Sequence, residues 1–580
     1  MRAAREDPPH LRQRPRRGSL SRTADGRGGG GSSRSPAGWP GPRYRSGVLA
    51  RTFVALVAGA ALSLAFEPVA IAYLMPLSLA ALALTTRDLR ARSGFVVGLV
   101  FGIGFYFPHI YWMSSSIGAV AWIALAGIEA FFHGLFGAAA AVLHRLRAWP
   151  FWLAGAWLTM EFTRSTWPFS GMPWGRLGFG VVDTPLAPTL AYVGVNGVSL
   201  IVATIGFIVA RLVVSARGDE RLYATVGLVG LTSVAVVPSV VPWTLPTRAQ
   251  TTVAAVQGDV PGAGNDILED FRGVTQNHVD ATVALARDVA EGLRPRPDFV
   301  VWPENSTAVD PFDDASTNAQ IQTAVAAIGV PIMVGAIVDD GPDHILNQGI
   351  VWDPDTGPGE RYTKRHPVPM GEYIPFRGVF EWAGLTESGQ LARIGRDMRS
   401  GDRVTPLDVA GVAVADAICF DIAYDDGLAI QQENGAELLT VQTSNASFIF
   451  TDQIEQQFAM TRARAVESGK YVVVAATNGV SGVIAPDGSV VDRTQRLTQE
   501  VLVETVDLRT GLTPGVRVGG VLPLLSALSS AVGLLLGIRA YRGALTEPRN
   551  GSRTRRRTRR RDGRDGRDEL HQAGSGAGDR

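Results

Sequence analysis

Between Val48 and Trp243 the chain is a succession of apolar runs broken by short polar or Pro/Gly joints, and this pattern narrows its fold more than any other. The runs lie near residues 48–66, 69–85, 94–113, 117–142, 150–166, 188–212 and 222–241, and an eighth covers 518–541. Most approach the ~20 residues that a helix needs to cross a bilayer. The first two are short and are joined by Glu67-Pro68. The sequence therefore predicts a multi-pass α-helical bundle, with about seven transmembrane helices in a membrane domain over 47–243 and a C-terminal one over 518–541. The first run has no small-residue cleavage site and is followed at once by another, so it is expected to be an uncleaved helix rather than a signal peptide.

Charge supplies the orientation. Residues 1–51 carry 12 Arg against 3 acids and residues 541–580 carry 12 Arg against 6, although the whole chain is only +1. Both ends are rich in Gly, Ser and Arg, and such segments bury too little apolar surface to fold, so disordered basic tails are expected over 1–46 and 542–580. Each tail abuts an apolar segment, which favours membrane topology and contact with anionic membrane lipids over nucleic-acid binding. With eight spans, the tails and the Arg-bearing joints at 87–92, 145–147 and 211–221 fall on one side. Arg-rich short loops stay cytoplasmic. Both termini are then cytoplasmic, and the stretch from Leu245 to about Arg517 lies on the extracytoplasmic face of the cell membrane. Glu129 and His133, one helical turn apart in the fourth run, are ionisable groups at membrane depth, a common mark of function but also a pair able to bond to each other. Glu161 and Arg164 lie close enough to the outer end of the fifth run to reach interfacial water.

The external part alternates strand and helix patterns. Val253–Gln257, Phe299–Trp302, Pro331–Val338, Glu437–Gln442 and Tyr471–Ala476 read as strands, and Asp266–Glu291 and Asp452–Ser468 as helices. This alternation predicts an α/β layered domain over 251–508. The only cysteine, Cys419, ends the apolar strand Val412–Ile418 where polar residues begin, as at a cleft. One cysteine excludes a disulfide within the chain.

A lone cysteine is usually a small buried hydrophobe. Two further segments point elsewhere: Phe299–Asn305 delivers Glu304 just past a strand, and Arg361–Tyr373 supplies Lys364 and Glu372. A thiol with its ordinary pKa of about 8.5 needs a base. Glu304 is a candidate base, and Lys364 can stabilise the negative oxygen formed when a carbonyl is attacked. The three describe acyl transfer through a thioester. The eight His show no metal-ligand spacing, and no Gly-rich phosphate loop opens a helix, so neither a metal nor a nucleotide cofactor is expected.

Val256–Asp259, Trp302–Asn305, Tyr362–Tyr373, Ile418–Asp421, Thr443–Asn445 and Arg462–Glu467 leading into Ala476–Gly479 occur in the order that characterises a known group. Through them the chain resembles the carbon-nitrogen hydrolase, or nitrilase, superfamily. Through Gly171–Gly175 as well it is similar to the integral-membrane branch, the apolipoprotein N-acyltransferases. The resemblance implies an αββα sandwich and a Glu304-Lys364-Cys419 triad. It implies a phospholipid acyl donor and, as acceptor, the α-amine of a diacylglyceryl-modified apolipoprotein. Glu372 matches a supporting glutamate, and Asn445 a loop position near the nucleophile. Phe420-Asp421 stands where relatives usually carry Tyr-Glu, and Ser444–Ile449 departs from a family loop, so substrate and lid contacts are expected to differ. Two rival readings of the same residues are a membrane-tethered amidase or nitrilase and a catalytically dead membrane scaffold.

Overall fold

The computed structural model describes residues 42–387 and 391–546. Most of the two expected basic tails lies outside those residues, and the described parts, 42–46 and 542–546, are helical. Each of the seven N-terminal apolar runs forms a helix: α1 (Pro42–Ser63), α2 (Leu74–Thr86), α3 (Ala91–His109), α4 (Ala119–Leu143), α5 (Trp149–Thr166), α6 (Leu190–Val214) and α7 (Gly218–Val236). Among the described residues, five helices are long and apolar enough to cross a membrane: 91–109, 119–143, 187–214, 218–239 and 514–540. The apolar parts of α1 and α2, Gly47–Ser63 and Leu74–Thr86, are shorter, and α5 carries Glu161 and Arg164. The closest pairing is α3 on α4. A methyl group on Gly98 would stand 2.1 Å from the His133 carbonyl oxygen, and one on Gly137 would stand 2.2 Å from that of Gly94. Only small residues let two helices touch through their backbones in this way.

The soluble part is built from β1 (Thr247–Gln257), α8 (Phe271–Ala290), β2 (Phe299–Val301), α9 (Ala315–Ile328), β3 (Ile332–Asp339), β4 (His344–Asp353), β5 (Gly357–Thr363), β6 (Asp397–Met398), β7 (Leu407–Val409) and β8 (Val412–Ile418), then α10 (Asp426–Glu433), β9 (Leu438–Thr443), α11 (Gln453–Ser468), β10 (Val472–Ala476), β11 (Gly482–Ile484), β12 (Val490–Arg493) and β13 (Glu500–Arg509). The final helix, α12, spans Val521–Thr546. One sheet runs in the order β13-β1-β2-β3-β4-β5, with β6 paired to β4, and the other runs β12-β11-β10-β9-β8-β7.

Alternation along the strands produces the layers. Val253 and Ala255 of β1 face Val414, Ile418, Val473 and Ala475 of the other sheet. Ala254 and Val256, between them, face α8 and α9 through Val279, Leu285, Ile321 and Val325. Ala415, Leu439 and Val472 turn outward onto Leu428 of α10 and Phe458 of α11. The result is an αββα sandwich. Helix α8 starts at Phe271, five residues later than its apolar period predicts, because Asp270 caps it by accepting from Gly273 N at 2.9 Å.

Strand β13, which was not apparent from periodicity, pairs antiparallel with β1, Thr247 opposite Arg509. The chain thus leaves the sandwich beside the point where it entered, and Thr510 N donates to Pro246 O at 3.1 Å. Both connections to the bundle are at one edge. Helix α11 rests on the bundle, and Phe420, Tyr424, Met460 and Ala463 share one core with Phe105, Trp112, Trp174 and Phe179.

Candidate active site

Strand β8 is buried along almost its whole length and hands the chain to a short turn that begins at Cys419. Cys419 has φ +51°, left-handed backbone that costs a residue with a Cβ on the order of 1 kcal/mol or more and persists only where the surroundings enforce it. The enforcement comes from Asp421. Its carboxylate accepts from Ile418 N (3.2 Å), Arg365 N (3.2 Å), His366 N (2.7 Å) and the Tyr362 hydroxyl (2.9 Å). One buried side chain therefore ties the cysteine turn to the segment that delivers Lys364. Phe420 points the other way, stacked on Trp174 of the membrane half with ring centroids 6.0 Å apart.

Lys364, fully buried just after β5, donates from Nζ to Glu304 Oε1 at 3.0 Å and to Glu372 Oε1 at 2.6 Å. Glu304 is held from two more sides, by Asn347 Nδ2 at 2.7 Å and by Ser444 N at 2.7 Å. Glu372 Oε2 accepts from Val368 N at 2.9 Å. The expected Glu304, Lys364 and Glu372 are thus one hydrogen-bonded unit. Burial pulls the Lys364 ammonium toward neutrality, but the two carboxylates outweigh it and hold its pKa well above the ordinary value. Burial also pushes the Cys419 thiol up to about 12, with the charge of Glu304 adding to the effect and Lys364 opposing it. Such a shift favours the thiol over the thiolate at neutral pH. Burial raises Glu372 as well, against the pull of Lys364.

One residue that touches the sulfur carried no sequence signal. Gln457 Nε2 donates to Cys419 Sγ at 3.6 Å. Its amide oxygen accepts from Asn445 Nδ2 (3.1 Å) and Thr443 Oγ1 (3.2 Å), which fixes the amide with its nitrogen toward the thiol. Asn445 is therefore linked to the sulfur through Gln457. The neighbouring Gln456 accepts at Oε1 from the indoles of Trp112 (3.0 Å) and Trp174 (2.7 Å), joining α11 to the bundle.

Cys419, Glu304, Glu372, Phe420 and Ser444 open into one cavity of about 380 Å³, whose remaining walls include Met113, Ile117, Leu125, Glu129 and Arg164 of the membrane half. Asp421 and Asn445 are not among its lining residues. Glu129 and His133 do not join through their side chains: His133 Nδ1 contacts the Glu129 carbonyl at 2.9 Å, and the Glu129 carboxylate pairs with Arg164 at 3.3 Å. Nor do Glu161 and Arg164 reach interfacial water, because both are 1% exposed. Glu161 Oε2 instead accepts from Trp157 Nε1 and Leu177 N.

Two paired sheets between helix layers, with a cysteine after β8 that shares one cavity with two lysine-bound glutamates, define a nitrilase-like domain joined to apolar helices. Residues 58–208 match the family model for the apolipoprotein N-acyltransferase N-terminal domain, and residues 225–511 match that for carbon-nitrogen hydrolases. The apolipoprotein N-acyltransferase of Mycolicibacterium smegmatis is 37% identical over 526 residues, covering 86% of this chain and 87% of the relative. That of Ralstonia nicotianae is 32% identical over 512 residues, covering 82% and 92%. Among solved structures, an amidase from Nesterenkonia sp. overlays with a TM-score of 0.32 at 15% identity, over 47% of this chain and 94% of that one. The chain belongs to the apolipoprotein N-acyltransferase family.

Proposed function

We propose that this protein is a membrane N-acyltransferase that takes an acyl chain from a phospholipid onto Cys419 and passes it to the α-amine of a diacylglyceryl-modified lipoprotein. The observation that carries this reading is the shared cavity: the thiol and its carboxylates open onto walls supplied by the membrane helices. A hydrolase of small soluble amides needs no such wall.

In the first half-reaction Glu304 takes the Sγ proton and the thiolate adds to the ester carbonyl, whose negative oxygen the Lys364 ammonium stabilises. The C–O bond to glycerol breaks and the proton passes from Glu304 to the glycerol oxygen, leaving a lysophospholipid and a Cys419 thioester. In the second, the neutral amine adds to the thioester carbonyl, the C–S bond breaks, and the amine proton returns through Glu304 to sulfur. Glu372 holds Lys364 charged and in place between the two steps. Apolar walls that exclude water favour the amine over hydrolysis.

The membrane domain is assigned to 47–243 and 518–541 and the catalytic domain to 251–508, on the extracytoplasmic face, with both termini cytoplasmic. In support, Arg51 Nη1 donates to the Arg87 carbonyl (2.5 Å) and Arg145 Nη2 to the Leu89 carbonyl (3.5 Å), which gathers cations at one end of the helices. The test is to give acyl-loaded enzyme a synthetic diacylglyceryl-cysteine peptide with a free or an acetylated amine. N-acylation of the free-amine peptide alone is expected. Discharge to water at the same rate with either peptide would move the assignment to a hydrolase.

A further inference from the structure

The cavity at Cys419 extends well past the reacting groups. Ala121, Ala124, Leu125, Ile128 and Glu129 all line it. Their spacing of three and four residues puts them on one face of α4, over about 12 Å of helix rise. The cavity is therefore a groove along α4, apolar until Glu129.

At that point it is closed twice. Glu129 Oε2 meets Arg164 Nη1 at 3.3 Å, and both side chains are 1% exposed. Arg164 Nη1 also donates to the Met172 and Trp174 carbonyls, each at 2.9 Å, while its Nε is buried without a hydrogen-bond partner. Next to the pair, α3 and α4 come into backbone contact, for a methyl group on Gly102 would stand 2.6 Å from Ala130 Cα. From Gly102 downward the two helices stay in backbone contact, with methyl groups on Gly98 and Gly137 also too close to the facing backbone.

We infer that this groove holds the acyl chain carried by Cys419 and that the Glu129–Arg164 pair is its floor, so that Ala124 and Ile128 help to set the length of chain accepted. The inference rests on reading Cys419 as the acyl carrier. The groove is continuous with the thiol, and its α4 side, Ala121, Ala124, Leu125 and Ile128, is aliphatic, which suits a hydrocarbon and not a peptide backbone with unpaired polar groups. With C–C bonds near 1.5 Å at about 111°, the α4 face alone accommodates roughly ten extended methylenes. A longer chain must part a buried ion pair, which is strongly unfavourable.

The experiment mixes full-length protein in detergent with phospholipids of one headgroup and graded chain length, and reads the acyl masses on Cys419. Ala124→Leu fills the groove partway and Ile128→Ala deepens it next to the floor. Relative to wild type, Ala124→Leu is expected to slow loading of the longest chains about tenfold against the shortest, since a single methylene in a closed apolar pocket is worth that much or more. Ile128→Ala is expected to shift the profile toward longer chains, and it carries the test alone if Ala124→Leu does not fold. A wild-type profile in the folded variants, or equal loss at every length, overturns the inference while leaving the acyl-carrier reading intact. No acyl group on wild type at all removes that reading and the groove's occupant with it.

Discussion

Burial decides the resting state of Cys419. The site spends its charge on the Lys364 ammonium and its two carboxylates, and places the sulfur where a thiolate is poorly solvated, so the thiol stands at about 12 against an ordinary value near 8.5. The sign follows directly: a raised thiol pKa means that the charged, reactive form is scarce at neutral pH and grows about tenfold per pH unit below 12. Alkylation of the resting enzyme by iodoacetamide is expected to accelerate continuously from pH 7 to pH 10. A rate that levels off below pH 9 would show a pre-formed thiolate and remove the need for Glu304 as base. Cys419 and Glu304 were legible in the sequence because each comes at or just past the end of an apolar strand, and Lys364 because it lies in the motif Tyr362–Tyr373. Gln457 was not, since it sits on the buried face of an ordinary helix and gains its meaning only when α11 is laid against the cysteine turn. The part played by Asp421 was equally hidden. Three of its four donors, Tyr362, Arg365 and His366, lie more than fifty residues away in the chain.

At the level of elements, the junction between bundle and sandwich adds a set of buried charges to its apolar core. Helix α6 is interrupted at Gly194, with φ +68° and ψ 178°, and the freed Val195 N donates to Glu467 Oε1 of α11 at 2.8 Å. Arg464, on the same helix, pairs with Glu467 and also reaches Asp425 at 2.8 Å, which Arg176 of the bundle grips at 2.8 and 3.1 Å. Asp425 is accordingly held well below the usual carboxylate range: burial alone would raise it, and the two guanidinium groups more than reverse that. A methyl group on Gly194 would stand 2.8 Å from Glu467 Oε1 and 2.9 Å from the Gly515 carbonyl. Gly194→Ala is therefore expected to lower the melting temperature in detergent, by strain and by displacing Glu467. Gly227→Ala, in α7 with nothing near the added methyl, should be neutral or stabilising by up to about 1 kcal/mol. Equal melting temperatures for the two would refute the account of the junction. Apolar runs announced the helices, and alternation announced β1, β3 and β9. The break at Gly194 was not readable, because one glycine inside an apolar run looks the same whether or not a carboxylate from elsewhere fills the gap.

For the whole molecule, the antiparallel return of β13 beside β1 matters most. It brings both chain connections to one edge of the sandwich, so the domain is tethered twice and α11 is pressed onto the helices that wall the cavity. For the acyl transfer proposed above, this double tether would hold the thiol in a fixed seat against the apolar helices. The architecture could be anticipated from the order of segments and motifs, but the seat could not, because it is made by pairs far apart in the chain: Gln456 with Trp174, Arg176 with Asp425, and Arg462 with Asp183 at 2.7 Å. The most direct test is the intact mass of purified wild type and Cys419→Ala after incubation with phospholipid in detergent. The account predicts one added acyl mass on wild type, none on Cys419→Ala, and equal melting behaviour of the two proteins. Acylation of both proteins, or of neither while both remain folded, would contradict it.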